Sequence, residues 1–191
     1  MTRGTRGTGL LELLVGAALG LAALAGLTAA VGAGARVLAR ASARFEAEDT
    51  AQLALESLTF DARRAGYDPT AAGIVPVTEA TAERVALAAD LDGDGAVDSS
   101  SEEATAYVCN AVAERLSRIT GRQSLPLADR VRTCAFRYLD AAGAPIAIPA
   151  AGLDAAARAR IRAVALDLVL RPTRLRGETA RTALVALRTE P

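Results

Sequence analysis

The sequence has no histidine and no lysine, and its 22 basic residues are matched by 22 acidic ones, for a formal net charge of zero. Without histidine the chain lacks the usual general base, the usual zinc ligand and the Ser-His and Cys-His nucleophile pairs. An enzyme is therefore the least expected reading. A neutral chain projects no global field toward nucleic acid or an anionic surface, and no nucleic-acid partner is expected. Arginine as the sole basic residue, together with abundant alanine, has the look of a GC-rich codon bias, so the larger apolar residues carry the pattern. Proline is absent before Pro69, and glycine is absent between Gly34 and Gly66. At 191 residues the chain has room for one ordinary domain plus a membrane or targeting segment.

What is present, first, is a long apolar run. Residues 13–35 carry no charged side chain, which exceeds the roughly 20 residues a transmembrane helix needs. Arg3 and Arg6 precede the run, so the positive-inside rule puts the amino terminus in the cytoplasm and the body of the protein across the membrane. A secretory signal peptide is one reading, with Ala33-Gly34-Ala35 as a small-residue cleavage site before Arg36. Its apolar core would be far longer than the usual ~7–15 residues. An uncleaved signal anchor fits the length but leaves Glu12 unexplained. An ionised carboxylate in hydrocarbon costs on the order of 2.5–3.5 kcal/mol on insertion scales, so Glu12 calls for a partner.

The stretch Gly7-Thr8-Gly9-Leu10-Leu11-Glu12-Leu13-Leu14-Val15 resembles the prepilin cleavage motif of type IV pilins and type II secretion pseudopilins. In that family a short basic leader ends in glycine, and glutamate stands fifth in the mature chain ahead of a long apolar helix. The resemblance covers about the first 35 residues. It implies cleavage by a prepilin peptidase between Gly7 and Thr8, methylation of the Thr8 amine, and assembly through Glu12, whose carboxylate would meet the amine of a neighbouring pilin or pseudopilin subunit. Thr8 stands where phenylalanine is usual in the family.

Beyond Arg36 the polarity changes while helix formers continue. Val37, Ala41, Phe45, Ala51, Leu55, Leu58, Ala62 and Ala65 recur at spacings of three, four or their multiples, which predicts an amphipathic helix. Gly66 is a natural stop, reinforced by Asp68-Pro69. A helix over 9–65 would be roughly 85 Å long at ~1.5 Å per residue. A plain anchor with a coiled-coil stalk is the simpler alternative, but the apolar stripe is too irregular for clean heptads.

The remainder reads as short strands between turn residues, predicted at 84–89, 104–109, 114–119, 131–139, 161–171 and 180–188, with a short helix within 150–160. The clearest is the fifth, where Val164, Leu166, Leu168 and Leu170 alternate with Ala163, Ala165, Asp167 and Val169. A helix followed by strands implies an α+β fold with a long amino-terminal helix packed on an antiparallel sheet. The expected organisation is a leader at 1–7, a membrane and assembly half of the helix at 8–35, an amphipathic half at 36–66 and a periplasmic head at 67–191. The phrases DARRAGYDP, LAADLDGDGAVD, ADRVRTCAFRYLDAAG and IRAVALDLVL in this part are similar to PilW-like minor pilins and J-type minor pseudopilins.

Two local features stand out in the head. Cys109 and Cys134 fall on predicted strands, and in an oxidising compartment they are expected to pair; closing a loop of about 25 residues stabilises on the order of 3 kcal/mol. Asp90, Asp92, Asp94 and Asp98 follow the start of a calcium loop, with Gly95 at its sixth position, although position twelve is Ser101, followed by Glu102 and Glu103. An acidic, glycine-rich hairpin turn satisfies the same composition without metal.

These features converge on a non-enzymatic minor pilin-like subunit of a type IV pilus, anchored in the inner membrane and then built into a fibre. A J-type pseudopilin of a type II secretion system is the near alternative. An uncleaved, membrane-anchored protein whose head binds calcium or another ligand is the distant one.

Overall fold

The computed structural model describes residues 8–171 and 179–187. The architecture is α+β: α1 (Thr8–Arg64), then β1 (Val77–Ala80), β2 (Arg84–Ala88), β3 (Ala104–Asn110), β4 (Arg115–Thr120), β5 (Gln123–Asp129), β6 (Val131–Leu139), α2 (Ala155–Ala159), β7 (Ala163–Leu170) and β8 (Thr179–Ala186). Two compact units divide the chain, Met1–Ser42 and Ala43–Pro191. The change of polarity at Arg36 therefore precedes the boundary of the second unit, which begins inside α1.

The first unit is helical from Thr8 among the described residues, and its large apolar side chains are exposed. Leu10, Leu11, Leu13, Leu14, Leu19, Leu21, Leu24 and Leu27 are all exposed. A window of 18 residues in α1 reaches a mean hydropathy of 2.2 with none of it buried. Leucine and alanine favour the helix intrinsically, and a helix that is apolar all round is stable only in lipid or among other helices.

In the second unit the helix becomes one layer of a two-layer core. Ala47, Ala51, Ala54, Leu55, Leu58, Ala62 and Ala65 are buried with Val85, Tyr107, Leu116, Phe136, Val164, Leu166 and Leu168 from the strands. The stripe departs from expectation at its start. Ala43 and Ala47 are buried, whereas Phe45 is 64% exposed and Val37 is exposed too. Phe45 lies two residues from each of the two alanines, and on a 3.6-residue period two residues lead to the opposite side. Small side chains on the inner face let backbones approach closely. Arg64 ends α1, Gly66 follows with φ +77°, and its N–H bonds to the Ala88 carbonyl at 2.8 Å. The predicted stop is thus present, and it also ties the helix end to β2.

The first sheet is an antiparallel meander in the order β1-β2-β3-β4-β5, and the second has the order β6-β7-β8. The five predicted strands that match β2, β3, β4, β6 and β7 differ from them by a few residues at most; β4 starts after Glu114, whose φ of +48° places it in the preceding turn. β8 lies within one residue of its expected start, and Arg188 is outside the described residues. Two strands were not anticipated. β1 is only four residues long, and β5 carries Pro126, which is tolerated because β5 is an edge strand with a largely exposed pattern. α2 is shorter than expected and is capped by the Asp154 carboxylate, which accepts from Ala157 N at 2.8 Å.

One residue, Arg130, separates β5 from β6, and its φ of +58° turns the chain from one sheet to the other. Further contacts hold the sheets together. Cys109 on β3 and Cys134 on β6 form a disulfide with Cα atoms 5.6 Å apart. The Phe136 N–H of β6 donates to the Ala82 carbonyl between β1 and β2. The buried Tyr138 hydroxyl lies 2.8 Å from the Thr81 carbonyl oxygen and 3.0 Å from that of Arg84.

Candidate functional site

The acidic segment lies between β2 and β3 and folds around two buried carboxylates. Asp90 is fully buried; its Oδ1 accepts from Gly93 N at 2.7 Å and its Oδ2 from Gly95 N at 2.9 Å. Gly93 and Gly95 have φ of +79° and +80°, a conformation that turns successive amides inward and that glycine adopts at no steric cost. Glu103, also buried, accepts from Leu91 N (2.8 Å) and Asp92 N (3.2 Å) at Oε1 and from Asp98 N (2.8 Å) at Oε2. The loop is thus closed by Glu103 from its far end.

Carboxylate oxygens of Asp90, Asp92 and Glu103 all lie within 4.8 Å of one another. Two ligands on one calcium ion, at 2.3–2.6 Å each, stand at most about 5 Å apart. The cluster therefore has the dimensions and donor type of a hard-cation site. Backbone amides of Asp98 and Leu91 hold the Glu103 carboxyl below its usual range. For Asp92 the Asp94 amide bond acts in the lowering direction, but loss of solvation and the negative charges of Asp94, Glu103 and Asp90 outweigh it, and its pKa is raised. A raised carboxylate amid other carboxylates is a local excess of negative charge, which a cation would relieve.

Of the four aspartates singled out from spacing, the structure brings Asp90 and Asp92 together and leaves Asp94 and Asp98 outside the cluster. Asp94 accepts from Ala96 N at 2.8 Å, and Asp98 accepts from Ser100 N and the Ser100 hydroxyl, each at 2.8 Å. The Ser100 bonds hold the Asp98 pKa below its usual value. Glu103 takes the place that a linear loop template assigns elsewhere, because strands flank the segment and the chain turns back at Glu103, just before β3 begins.

The segment after α1 packs against this loop. The Asp90 N–H donates to the Tyr67 carbonyl at 2.8 Å, and Thr70 Oγ1 lies 3.4 Å from Asp90 Oδ2. Asp68 accepts from Ala72, Gly73 and Ile74 amides at 2.9, 2.7 and 3.0 Å. The Ile74 bond is the leading cause that lowers its pKa to about 2, with loss of solvation opposing and the Ala72 and Gly73 bonds assisting. The two phrases DARRAGYDP and LAADLDGDGAVD are therefore spatial neighbours.

A second polar group sits in the core beneath. Asp61, on the buried stripe of α1, accepts from Tyr107 Oη at 2.6 Å and from Arg118 Nε at 2.7 Å, with Arg118 Nη2 3.1 Å from its other oxygen. Burial, and then the bond to Asp61, push the Tyr107 hydroxyl far above its usual value. The signal in the sequence was an aspartate between Leu58 and Ala62, at a position the helical period sends inward.

At the amino terminus, Gly7 lies outside the described residues. Thr8 is the first residue of α1, and Glu12 is exposed, four residues further along the same helix. Among described residues 9–35, Glu12 is the sole charged side chain. The chain matches no protein-family model and no curated protein.

Proposed function

We propose that the chain is a minor pilin-like structural subunit, cut by a prepilin peptidase after Gly7 and assembled into a type IV pilus through its amino-terminal helix. The observation that carries this reading is the helical stretch 9–35, which exposes its apolar side chains and carries one carboxylate, Glu12, among them. Such a surface needs lipid first and other apolar helices later. Cleavage would create an ammonium at Thr8, and a carboxylate meeting an ammonium from a neighbouring subunit is tolerated where a lone one is not, and fixes register. The layout of a long helix packed on an antiparallel head supports the same reading.

Arg36, Arg40 and Arg44 flank the far end of the apolar run and offset Arg3 and Arg6, so the orientation expected from Arg3 and Arg6 is not fixed by charge alone. The orientation, with the amino terminus in the cytoplasm and the head in the periplasm, rests on the leader motif. Mass spectrometry of the mature amino terminus tests the assignment. A chain starting at Thr8, methylated or not, is expected; one starting at Arg36 or at Met1 overturns it. Glu12→Ala is expected to be processed normally yet fail to enter a fibre.

A J-type pseudopilin of a type II secretion system would share each of these features. The Asp90, Asp92 and Glu103 cluster favours one addition, calcium bound in the head, which in an uncleaved anchored protein would be the main function. A calcium titration of the full chain in detergent, followed by thermal unfolding, reads this directly: a rise in Tm that Glu103→Gln abolishes supports calcium, and no shift at millimolar calcium leaves a metal-free turn.

A further inference from the structure

The zero net charge conceals a local segregation on α1. Between Glu12 and Glu46 the charged residues are Arg36, Arg40 and Arg44, and all three are exposed. Their spacing of four puts them along one side of the helix. They begin where the charge-free run ends. Arg36 Nε donates to the Gly32 carbonyl at 3.1 Å, which turns its guanidinium back toward the apolar end.

We propose that this arginine stripe binds the anionic phosphate headgroups of the leaflet that meets the carboxy-terminal end of the apolar span. The proposal rests on the reading of 13–35 as a membrane span. A bilayer's polar layer adds roughly 5–7 Å on each side of the hydrocarbon. At ~1.5 Å per residue, Arg40 stands about 6 Å beyond Arg36. Arg36 and Arg40 then lie within the headgroup layer. Guanidinium groups bind phosphate in a bidentate manner, and long side chains let the helix keep its apolar register while their tips reach the lipid. The acidic block at Glu46, Glu48 and Asp49 bounds the stripe on its other side and would be repelled by the same surface.

The test reconstitutes the full chain in phosphatidylcholine vesicles that contain spin-labelled phosphatidylglycerol or spin-labelled phosphatidylcholine, and compares the motionally restricted fractions of the two labels. Phosphatidylglycerol is expected to be favoured at low salt, by about fivefold for each arginine within the headgroup layer. The preference should fall toward unity at about 1 M salt, where the Debye length is roughly 3 Å. It should also fall toward unity in Arg36→Gln/Arg40→Gln/Arg44→Gln. Flotation of the same samples with the vesicles at alkaline pH reads the span separately. If the chain does not float, the span reading fails and takes this proposal with it. If it floats but shows no preference, or a preference that the triple variant retains, the stripe proposal alone is overturned. Salt-sensitive self-association in vesicles of phosphatidylcholine alone would assign the stripe to the Glu46–Asp49 block of a second copy, and that outcome also overturns it.

Discussion

Early in α1, Leu14, Leu19 and Leu24 are 65%, 67% and 57% exposed, whereas later in the same helix Ala51, Leu58 and Ala62 are 0% exposed. Both stretches are built from the same strong helix formers, so intrinsic propensity does not separate them. What differs is where the partner of the apolar surface resides. The head half has its partner within the chain, on the strands, and needs apolar residues on one stripe only. The amino-terminal half is apolar on every side and leaves those side chains exposed.

The sharpest way to break that comparison is to truncate one leucine in each region. Leu58→Ala is expected to cost the head about 3–4 kcal/mol, the transfer loss plus the cavity left in a closed core. Leu14→Ala should leave the head's urea midpoint unchanged and instead weaken recovery in vesicles. A loss of head stability from Leu14→Ala would mean that the first unit has an intramolecular partner after all.

Removing the cross-sheet staple comes next. Cys109→Ala/Cys134→Ala opens a loop with a sequence separation of 25, and the chain-entropy relation gives a loss of about 3 kcal/mol. Urea unfolding with and without a thiol reductant measures it, and the double variant should become insensitive to reductant. Vesicle flotation should not respond, since the bridge lies wholly in the head.

Asp61→Ala probes the polar contact between helix and sheet. It would leave the Tyr107 hydroxyl and the Arg118 guanidinium without their shared acceptor. Breaking a fully buried pair costs ~3–5 kcal/mol, but the Arg118 side chain is 21% exposed and water can reach it, so about 2 kcal/mol is expected. Asp61→Ala/Arg118→Met should recover part of the loss by removing the orphaned charge. No recovery would indicate that the pair also fixes the register of the helix on the sheet.

How much of this was legible in the sequence follows from the range over which each signal acts. The Gly66 stop and the Val164 to Leu170 alternation are set by neighbours in the chain and were readable. β5 was hidden because Pro126 disqualifies a central strand, and only the finished sheet shows that β5 is an edge. The Ala43 and Ala47 contact was hidden because alanine is common throughout, so two more alanines carried little contrast against Phe45. In the acidic loop, Asp90 and Asp92 were found from spacing. Glu103 was not assigned, because its place beside them is created by the return of the chain into β3. The Asp61, Tyr107 and Arg118 contact joins residues far apart in sequence, and the one hint was an acid on an apolar stripe.

The smallest expected effect separates carboxylates that stabilise the head from one that strains it. Asp68, at a pKa of about 2 against an ordinary 3.8, contributes stability that is complete above about pH 4 and is lost as pH falls toward 2. Glu103 and Asp98, also lowered, act in the same direction. Asp92 is raised, so it opposes folding at neutral pH, and that cost disappears as the pH drops through its native value. The urea midpoint of the full chain should therefore decline between about pH 4 and 2, where the Asp68 contribution is lost. Asp68→Asn should flatten the decline, and Asp92→Asn should raise the neutral plateau without altering the acid limb. If calcium occupies the cluster, Asp92→Asn should instead lower the plateau in calcium and raise it in chelator, because a bound cation turns the Asp92 carboxylate into a ligand.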